Sequence, residues 1–353
     1  MAGGSGTRFW PASRERLPKQ FLKITSERTL FEETVERIRP LSEDSNIYVV
    51  VNRLHEETTR RLLGSSEAQV LVEPVGRNTA PCIGLAALYI SRFDENAPIV
   101  TLPADHFIAN ENHYRHMLGA AAEVARSGAI ATLGITPTRP ETGYGYIECG
   151  DEAGSALGET VLRVERFVEK PDHETALKYL ASGRHLWNSG IFVYTAKTIL
   201  SEIQSCLPAL HAKLQEIGDA IGSDNYQQTI ERVYPQMESI SIDYGVMEKT
   251  RVPVRTLIGD FGWSDVGSWQ ALHELRSDKY DRDGNLLLAE AMTVDAKQNL
   301  VYSTSDRRIA LLGVEGLIIV DTPDALMVAD MNRSQDVKKF PESLKKNAET
   351  DTF

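Results

Sequence analysis

Positions Leu30, Phe31, Thr34, Val35 and Ile38 recur with the 3.6-residue rhythm of a helix that buries one face, and the run Ile47–Val51 follows without alternation, as in a short strand covered on both sides. The same exchange of rhythms continues along the chain. It predicts strand over Gln69–Val72, helix over Thr79–Ser91, strand over Pro98–Leu102, helix over Tyr114–Ala125 and strand over Ala129–Ile135. This order implies an α/β fold: a Rossmann-like, doubly wound sheet, parallel in this part and mixed as a whole, with ligands at the carboxyl ends of its strands. From Tyr144 to Tyr194 the pattern turns β-rich, with strands over Tyr144–Cys149, Val161–Val168 and Gly190–Tyr194 around a helix near His173–Ala181. That stretch reads as an insertion. One helix is expected over Ala196–Leu214, another over Tyr226–Val233, and a strand near Val252–Ile258 leads to a loop at Trp263. After about Lys279 come short strands separated by D-R-D-G-N, D-A-K-Q-N, S-D-R-R, V-E-G and T-P-D-A. The expected organisation is a larger domain over 1–279 and a small β-rich domain over 280–353 with a terminal helix. No internal repeat is clear enough to use.

Chemistry concentrates at the start. Ala2 to Phe21 reads A-G-G-S-G-T-R-F-W-P-A-S-R-E-R-L-P-K-Q-F. Gly3, Gly4 and Gly6 let the backbone adopt positive φ and bring N–H groups close to an anion, and Arg8 and Lys19 add cations. The spacing fits neither a Walker loop, which needs Gly-Lys-Ser/Thr, nor a dinucleotide fingerprint, which needs a glycine where Phe9 stands. A tight surface turn accounts for the glycines alone; Arg8, Pro18 and Lys19 in register argue for phosphate. The run V-T-L-P-A-D-H ends a strand with Asp105, from which a carboxylate can enter the ligand crevice, and Asp265 stands in F-G-W-S-D-V-G-S-W. Singly, Asp105 reads equally as a turn aspartate and Asp265 as the cap of a helix through Trp269. His106 is read as structural.

Three further segments carry polar groups in suggestive order: E-P-V-G-R-N-T-A-P from Glu73 to Pro81, T-G-Y-G-Y-I from Thr142 to Ile147, and F-V-E-K-P followed by W-N-S-G-I-F from Phe167 to Phe192. Glu73 followed by Arg77 also reads as a simple ion pair, and E-K-P as an ordinary surface turn.

From residue 2 to about 335, this set resembles the sugar nucleotidyltransferases, in the branch that joins GTP to mannose 1-phosphate. G-G-x-G-T-R with P-K-Q, E-P-V-G-R-N-T-A-P and G-W-S-D-V-G-S-W are its most specific parts. The resemblance implies transfer of GMP from GTP to α-D-mannose 1-phosphate, giving GDP-mannose and pyrophosphate, with Mg2+ on Asp105 and Asp265. Nucleotide would lie on Ala2, Gly3, Gly4, Gly6, Thr7, Arg8, Glu73, Asn78, Thr79 and Asp105. Sugar phosphate would lie on Gly143, Tyr144, Gly145, Glu169, Lys170 and Asn188. Arg8, Lys19, Asp105, Lys170 and Asp265 would carry catalysis. Glu73 would read guanine by accepting from N1–H and the exocyclic amine together, and the C-terminal turns would suit a short β-helix. One feature departs from the family: its members carry an apolar strand just before A-G-G, and here Met1 stands where that strand should end, so the first strand is expected to be missing. Its neighbours would then lack backbone partners. Two rivals stay open: a pyrophosphorylase for another nucleotide and hexose 1-phosphate, and a catalytically silent homologue that binds GDP-mannose.

Composition narrows the partners. The chain has 353 residues, 42% of them hydrophobic, and a formal net charge of −12, which disfavours nucleic acid polymers and anionic membranes while leaving room for a small phosphate ligand. Beyond Arg8, Lys19 and Lys170, local cations are available at Arg14 and Lys23. No apolar run approaches the roughly 18 residues of a membrane span and no export signal is seen, so the cytoplasm is expected. Cys82, Cys149 and Cys206 are odd in number and far apart, unlike a disulfide framework or zinc site, and are expected to be buried packing residues. The sequence does not fix the oligomeric state; the β-rich C-terminal segment offers a contact for a homodimer.

Overall fold

The computed structural model describes residues 1–4 and 6–346; the tail of the expected C-terminal domain, residues 347–353, lies outside them. Strands β1 (Tyr48–Asn52), β2 (Gln69–Glu73), β3 (Pro98–Thr101), β4 (Phe107–Ile108), β5 (Ile130–Ile135), β6 (Tyr146–Ala156), β7 (Glu159–Val168), β8 (His185–Thr195), β9 (Val254–Ile258) and β10 (Trp263–Ser264) alternate with helices. Those helices are α1 (Leu30–Ile38), α2 (Glu56–Leu63), α3 (Thr79–Ser91), α4 (Glu111–Arg126), α5 (His173–Ser182), α6 (Ala196–Cys206), α7 (Pro208–Ala220), α8 (Tyr226–Val233) and α9 (Trp269–Leu275). The chain forms two compact units: Met1–Gly3 with Arg37–Pro103 and Ile108–Trp263, and Gly4–Glu36 with Ala104–Phe107 and the chain from Ser264 onward. Compactness thus groups the glycine-rich loop with the C-terminal strands, whereas the linear division at Tyr280 falls inside the second unit.

In the first unit, a six-stranded sheet runs β3-β8-β5-β9-β7-β6, and β1 and β2 form a separate parallel pair. β3 and β5 run in the same direction, as the alternation implied, but they are not neighbours. β8 lies between them and is antiparallel to both, with Val193 opposite Val100 on one side and Ala131 on the other. β8 can occupy this central place because Ile191, Phe192, Val193 and Tyr194 are all buried, and an antiparallel ladder pairs its backbone at least as well as a parallel one. The β5–β9 pair is parallel.

Among the described residues, β1 pairs with β2 and β3 with β8, each on one side, and Met1 and Ala2 lie against both free edges. The Met1 amino group donates to the Leu102 carbonyl at 2.8 Å, and the Ala2 N–H donates to the Val50 carbonyl at 3.0 Å.

Helix α3 is buried along much of its length, and Gly84 lets it approach α7 so closely that a Cβ there would strike Leu214. These helices enclose Ile83, Leu85, Ile199, Ile203, Leu214 and Tyr234 in one core. The single helix expected over Ala196–Leu214 is two. Pro208 begins α7 and holds the preceding Leu207 at φ −135°, ψ 59°, outside the helical region, because the proline ring crowds a helical neighbour. On the sheet's other face, Tyr114, Met117, Leu118 and Ala121 of α4 pack on Leu133, Val193 and Leu257. All three cysteines are free; Cys82 and Cys149 are buried, but Cys206, at the end of α6, is only half-buried, contrary to expectation.

The second unit contains short strands β11 (Leu286–Leu288), β12 (Ala291–Val294), β13 (Leu300–Ser303), β14 (Ile309–Leu312), β15 (Leu317–Asp321) and β16 (Leu326–Asp330), followed by helix α10 (Lys339–Lys346). β11, β13 and β15 stack in parallel, as do β12 and β14, in the manner of a short β-helix; β16 returns antiparallel to β15. Leu286, Leu300 and Ile318 occupy one column of this stack and bury fully against Phe9, Trp269 and Met327. A repeat underlies the stacking: D-x-x-x-N occurs at Asp281–Asn285 and at Asp295–Asn299, 14 residues apart. Both asparagines are fully buried; Asn299 Nδ2 donates to Asn285 Oδ1 at 2.9 Å, and Asn299 Oδ1 accepts from the Leu317 N–H of the next coil at 2.9 Å.

Candidate active site

The glycine-rich loop turns on Gly6, whose φ of 56° is left-handed and whose missing Cβ leaves room for the Lys19 backbone; a Cβ would lie 2.6 Å from the Lys19 nitrogen. Ser13 Oγ holds the Gly6 carbonyl at 2.6 Å. Lys19 is 7% exposed, and its ammonium pairs with Asp105 Oδ2 at 2.8 Å while donating to the Asp265 carbonyl oxygen. The structure therefore brings Lys19, Asp105 and Asp265 together within the second unit. Burial alone would raise the Asp105 carboxyl, but Lys19 and His106 outweigh it and hold the group below its ordinary value.

Two alternatives resolve here. Ser268 caps α9 by accepting from the Ala271 N–H, so Asp265 is not the cap. The backbone just after Asp265 is strained: Val266 sits at φ 44°, and a Cβ at Gly267 would lie 2.8 Å from Asp265 Oδ2. Arg8, also in this unit, is exposed and reaches Gln335 Oε1 at 3.4 Å. Arg14 is committed elsewhere, to Asp324 at 2.8 Å and the Pro11 carbonyl.

Among the described residues there is no group of three or more His, Cys, Asp and Glu able to hold a metal. An ion bound by Asp105 and Asp265 would complete its shell with phosphate oxygens and water. That donor set fits a hard divalent cation and not a structural zinc.

In the first unit, the Glu73–Pro81 segment is tied largely to its own surroundings. Glu73 ends β2 on the same face as Leu71, is 5% exposed, and accepts from the Tyr234 hydroxyl through Oε1. Burial pushes its carboxyl up despite this bond. Alternation along the strand turns Glu73 inward, where it anchors Tyr234 instead of presenting an open carboxylate to a base. Arg77 does not pair with it but donates to the Pro235 carbonyl. Asn78, exposed at φ 67°, accepts from the Thr79 N–H at 2.9 Å, and Thr79 Oγ1 accepts from the Ile242 N–H at 2.8 Å. The Ala80 N–H reaches the Ile240 carbonyl at 3.1 Å and Pro81 has none to offer, so the start of α3 is largely satisfied from within.

The sugar-phosphate candidates do assemble, also within the first unit. The Gly145 carbonyl accepts from the Asn188 N–H at 2.8 Å, and a Cβ at Gly145 would collide with the Glu169 carboxylate. Glu169 pairs with Lys170 at 3.0 Å, and Lys170 itself adopts φ 48° with its side chain 59% exposed. Tyr144 meets Trp187 and Trp263 edge-on, with ring centroids 5.2 and 5.4 Å apart. The Gly143 N–H is held by Glu141 at 3.0 Å.

Asp243 is a member the sequence reading missed. It opens a single π-helical turn, Asp243–Met247, and accepts from Asn188 Nδ2 at 2.8 Å. The one available signal was an acidic residue within the otherwise apolar stretch around Ile240, Ile242 and Val246. Tyr234 was missed as well, for want of any motif.

The model of the family described as nucleotidyl transferase matches residues 1–282, four-fifths of the chain. The chain belongs to the nucleotidyl transferase family. A second model, the MannoseP isomerase/GMP-like beta-helix domain, matches residues 289–344, the stacked strands of the second unit. Similar curated proteins include the mannose-1-phosphate guanylyltransferases of Escherichia coli, 41% identical over 99% of this chain and 74% of the relative, and of Klebsiella pneumoniae, 42% identical over 98% and 73%. A solved structure named mannose-1-phosphate geranyltransferase, from Thermus thermophilus, is 36% identical with a TM-score of 0.87, and 98% of each chain is covered. Nucleotidyl transferases of this kind bind a nucleoside triphosphate and a sugar phosphate and generally use a divalent metal. No helix among the described residues is long and apolar enough to cross a membrane.

Proposed function

We propose that the protein transfers GMP from GTP to α-D-mannose 1-phosphate, forming GDP-mannose and releasing pyrophosphate. The observation that carries this reading is the buried Lys19, paired with the Asp105 carboxylate and bonded to the Asp265 backbone carbonyl beside a glycine-rich loop, a centre with a cation for a polyphosphate and two carboxylates for a metal ion. Similarity to guanylyltransferases that act on mannose 1-phosphate supports the choice of substrates.

A phosphate oxygen of the sugar phosphate attacks the α-phosphorus of GTP in line, and the bond from that phosphorus to the bridging oxygen of pyrophosphate breaks. No covalent enzyme intermediate is needed. Backbone N–H groups of Gly3, Gly4, Gly6 and Thr7 line the triphosphate, and Arg8 and Lys19 offset the charge that grows on the departing pyrophosphate. Asp105 and Asp265 are the residues that would hold Mg2+, which supplies charge stabilisation to the phosphates when bound. Lys170, half-extended into solvent beside Glu169, neutralises the 1-phosphate; Gly143, Gly145, Tyr144, Glu169 and Asn188 receive the hexose. Asn78 and Thr79 serve the nucleotide at the edge of the loop that Glu73 braces. A reaction on GTP and a sugar phosphate suits the cytoplasm.

The test is pyrophosphate release with Mg2+, mannose 1-phosphate and each of GTP, ATP, UTP and dTTP. GTP-selective turnover is expected. Turnover with a different nucleotide or hexose 1-phosphate would replace these substrates, and a folded but inactive protein would favour a binding homologue.

A further inference from the structure

Asn188 is held at three points. Its backbone N–H donates to Gly145, its Oδ1 accepts from the Gly190 N–H at 3.0 Å, and its Nδ2 donates to Asp243 Oδ1 at 2.8 Å. Rotating the carboxamide by half a turn would set oxygen against the Asp243 carboxylate and nitrogen against the Gly190 N–H, so this arrangement admits one orientation. The remaining Nδ2 hydrogen is thereby aimed. We propose that Asp243 is a positioning residue for the sugar phosphate: it fixes the Asn188 carboxamide so that its second N–H and the neighbouring Glu169 carboxylate meet hydroxyls of the bound hexose. This rests on the reading of the substrates given above.

Asp243 is itself well placed to hold a neighbour in register. The Ile242 N–H ties the preceding residue to Thr79 at the start of α3, the Glu248 N–H bonds the Asp243 carbonyl at 3.0 Å, and Val246 and Met247 bury behind it. Single π-helical turns recur at functional sites because they reorient side chains that a regular helix would stagger away. The chemistry suits the task too. A carboxylate and a carboxamide side by side offer both acceptors and a donor, which is what neighbouring hydroxyls on a pyranose require, since each hydroxyl donates once and accepts.

Glu169 and Lys170, in the segment after β7, are the charged groups that face Asp243; Asn188 on β8 and Thr79 beside Ile242 present neutral ones. Burial first, and the Glu169 charge second, push the Asp243 carboxyl up to about 6 against the opposing effects of Asn188 and Lys170. Asp243 therefore changes charge within the range where the enzyme can be assayed.

The experiment compares wild type, D243A and D243N by KM for mannose 1-phosphate and for GTP between pH 5 and 8, and by calorimetric binding of mannose 1-phosphate. D243A is expected to weaken sugar-phosphate KM and binding by about tenfold, the equivalent of one good hydrogen bond, while KM for GTP stays within about twofold. D243N retains an oxygen for Asn188 Nδ2 and should recover to within about threefold at pH 7.5, losing the wild type's change in sugar-phosphate KM near pH 6. Unchanged sugar-phosphate binding in D243A, or equal losses for both substrates, would overturn the proposal. Wild type that binds mannose 1-phosphate without turning over GTP would sink the reaction assigned above and still test Asp243 by binding; wild type that binds no sugar phosphate would overturn both.

Discussion

Two acidic centres of this protein are built on opposite electrostatic plans. In the second unit Asp105 faces the ammonium of buried Lys19, and its carboxyl is held below the ordinary value. In the first unit burial, and after it the nearby Glu169 charge, push the Asp243 carboxyl up to about 6. The first arrangement is charge-balanced before substrate arrives and stays ionised at any working pH. The second is a carboxyl short of solvent, which an incoming sugar can supply with hydroxyl donors. Phosphate chemistry needs fixed charge, whereas recognition of a neutral ring needs acceptors whose charge can be tuned.

The comparison is broken most directly at Lys19. Replacing it with Met should lower kcat by about 100-fold or more, with KM for mannose 1-phosphate little changed, because the charge acts on the departing pyrophosphate. K19R should not rescue turnover, since a guanidinium cannot take the place of a point charge in a site that is 7% exposed. Steady-state kinetics with varied mannose 1-phosphate would decide it, and equal effects on kcat and sugar KM would remove the distinction between the centres.

The next largest effect is expected from G6A. Its Cβ would meet the Lys19 backbone at 2.6 Å in a left-handed conformation, which should cost about 1–3 kcal/mol of stability in denaturant titration and reduce turnover with the same protein. Stability against pH then separates the carboxylates. For Asp243, between the ordinary value of 3.8 and about 6, the unfolded chain has lost a proton that the folded chain keeps, so this group removes stability as pH rises through that window. D243N should therefore raise the midpoint of unfolding at pH 7.5 by the equivalent of about 1 kcal/mol or more, and the gain should fade below pH 4. Asp105 has the reverse sign: its stabilisation is present above its ordinary value and is lost as pH falls through the depressed folded one.

The smallest effect concerns Glu73. Y234F removes the donor to a buried carboxylate whose carboxyl burial already pushes up, and should cost about 1–2 kcal/mol in denaturant titration. E73Q should leave the preference for GTP over ATP intact if Glu73 anchors Tyr234. A collapse of that preference in the nucleotide panel would restore Glu73 to the base.

These contrasts also show what could be read from residues alone. Helices α3 and α8 are visible in the sequence because their apolar positions and flanking residues agree, and the glycine-rich loop is visible because Gly6, Pro18 and Lys19 must cooperate to make one tight approach. Asp243 is not, since its meaning comes from Asn188, 55 positions away. The Glu73 contact to Tyr234 was not legible, because the motif marks the segment while the two-residue spacing from Leu71 is what turns the side chain inward. The break at Leu207 was available in Pro208 and was overridden by the apolar rhythm on either side. The antiparallel entry of β8 had no local signature, because a fully buried strand reads alike in both directions.

The Asn285–Asn299 ladder gives the C-terminal coil a modular grammar. The first coil hands the second a backbone edge, a leucine and an amide in the same places, with the partner about 4.8 Å along the axis. A duplicated 14-residue cassette beginning at Asp281 would thus find its hydrogen bonds already laid out, and length could be gained one coil at a time, like courses of brick, without redrawing what stands below.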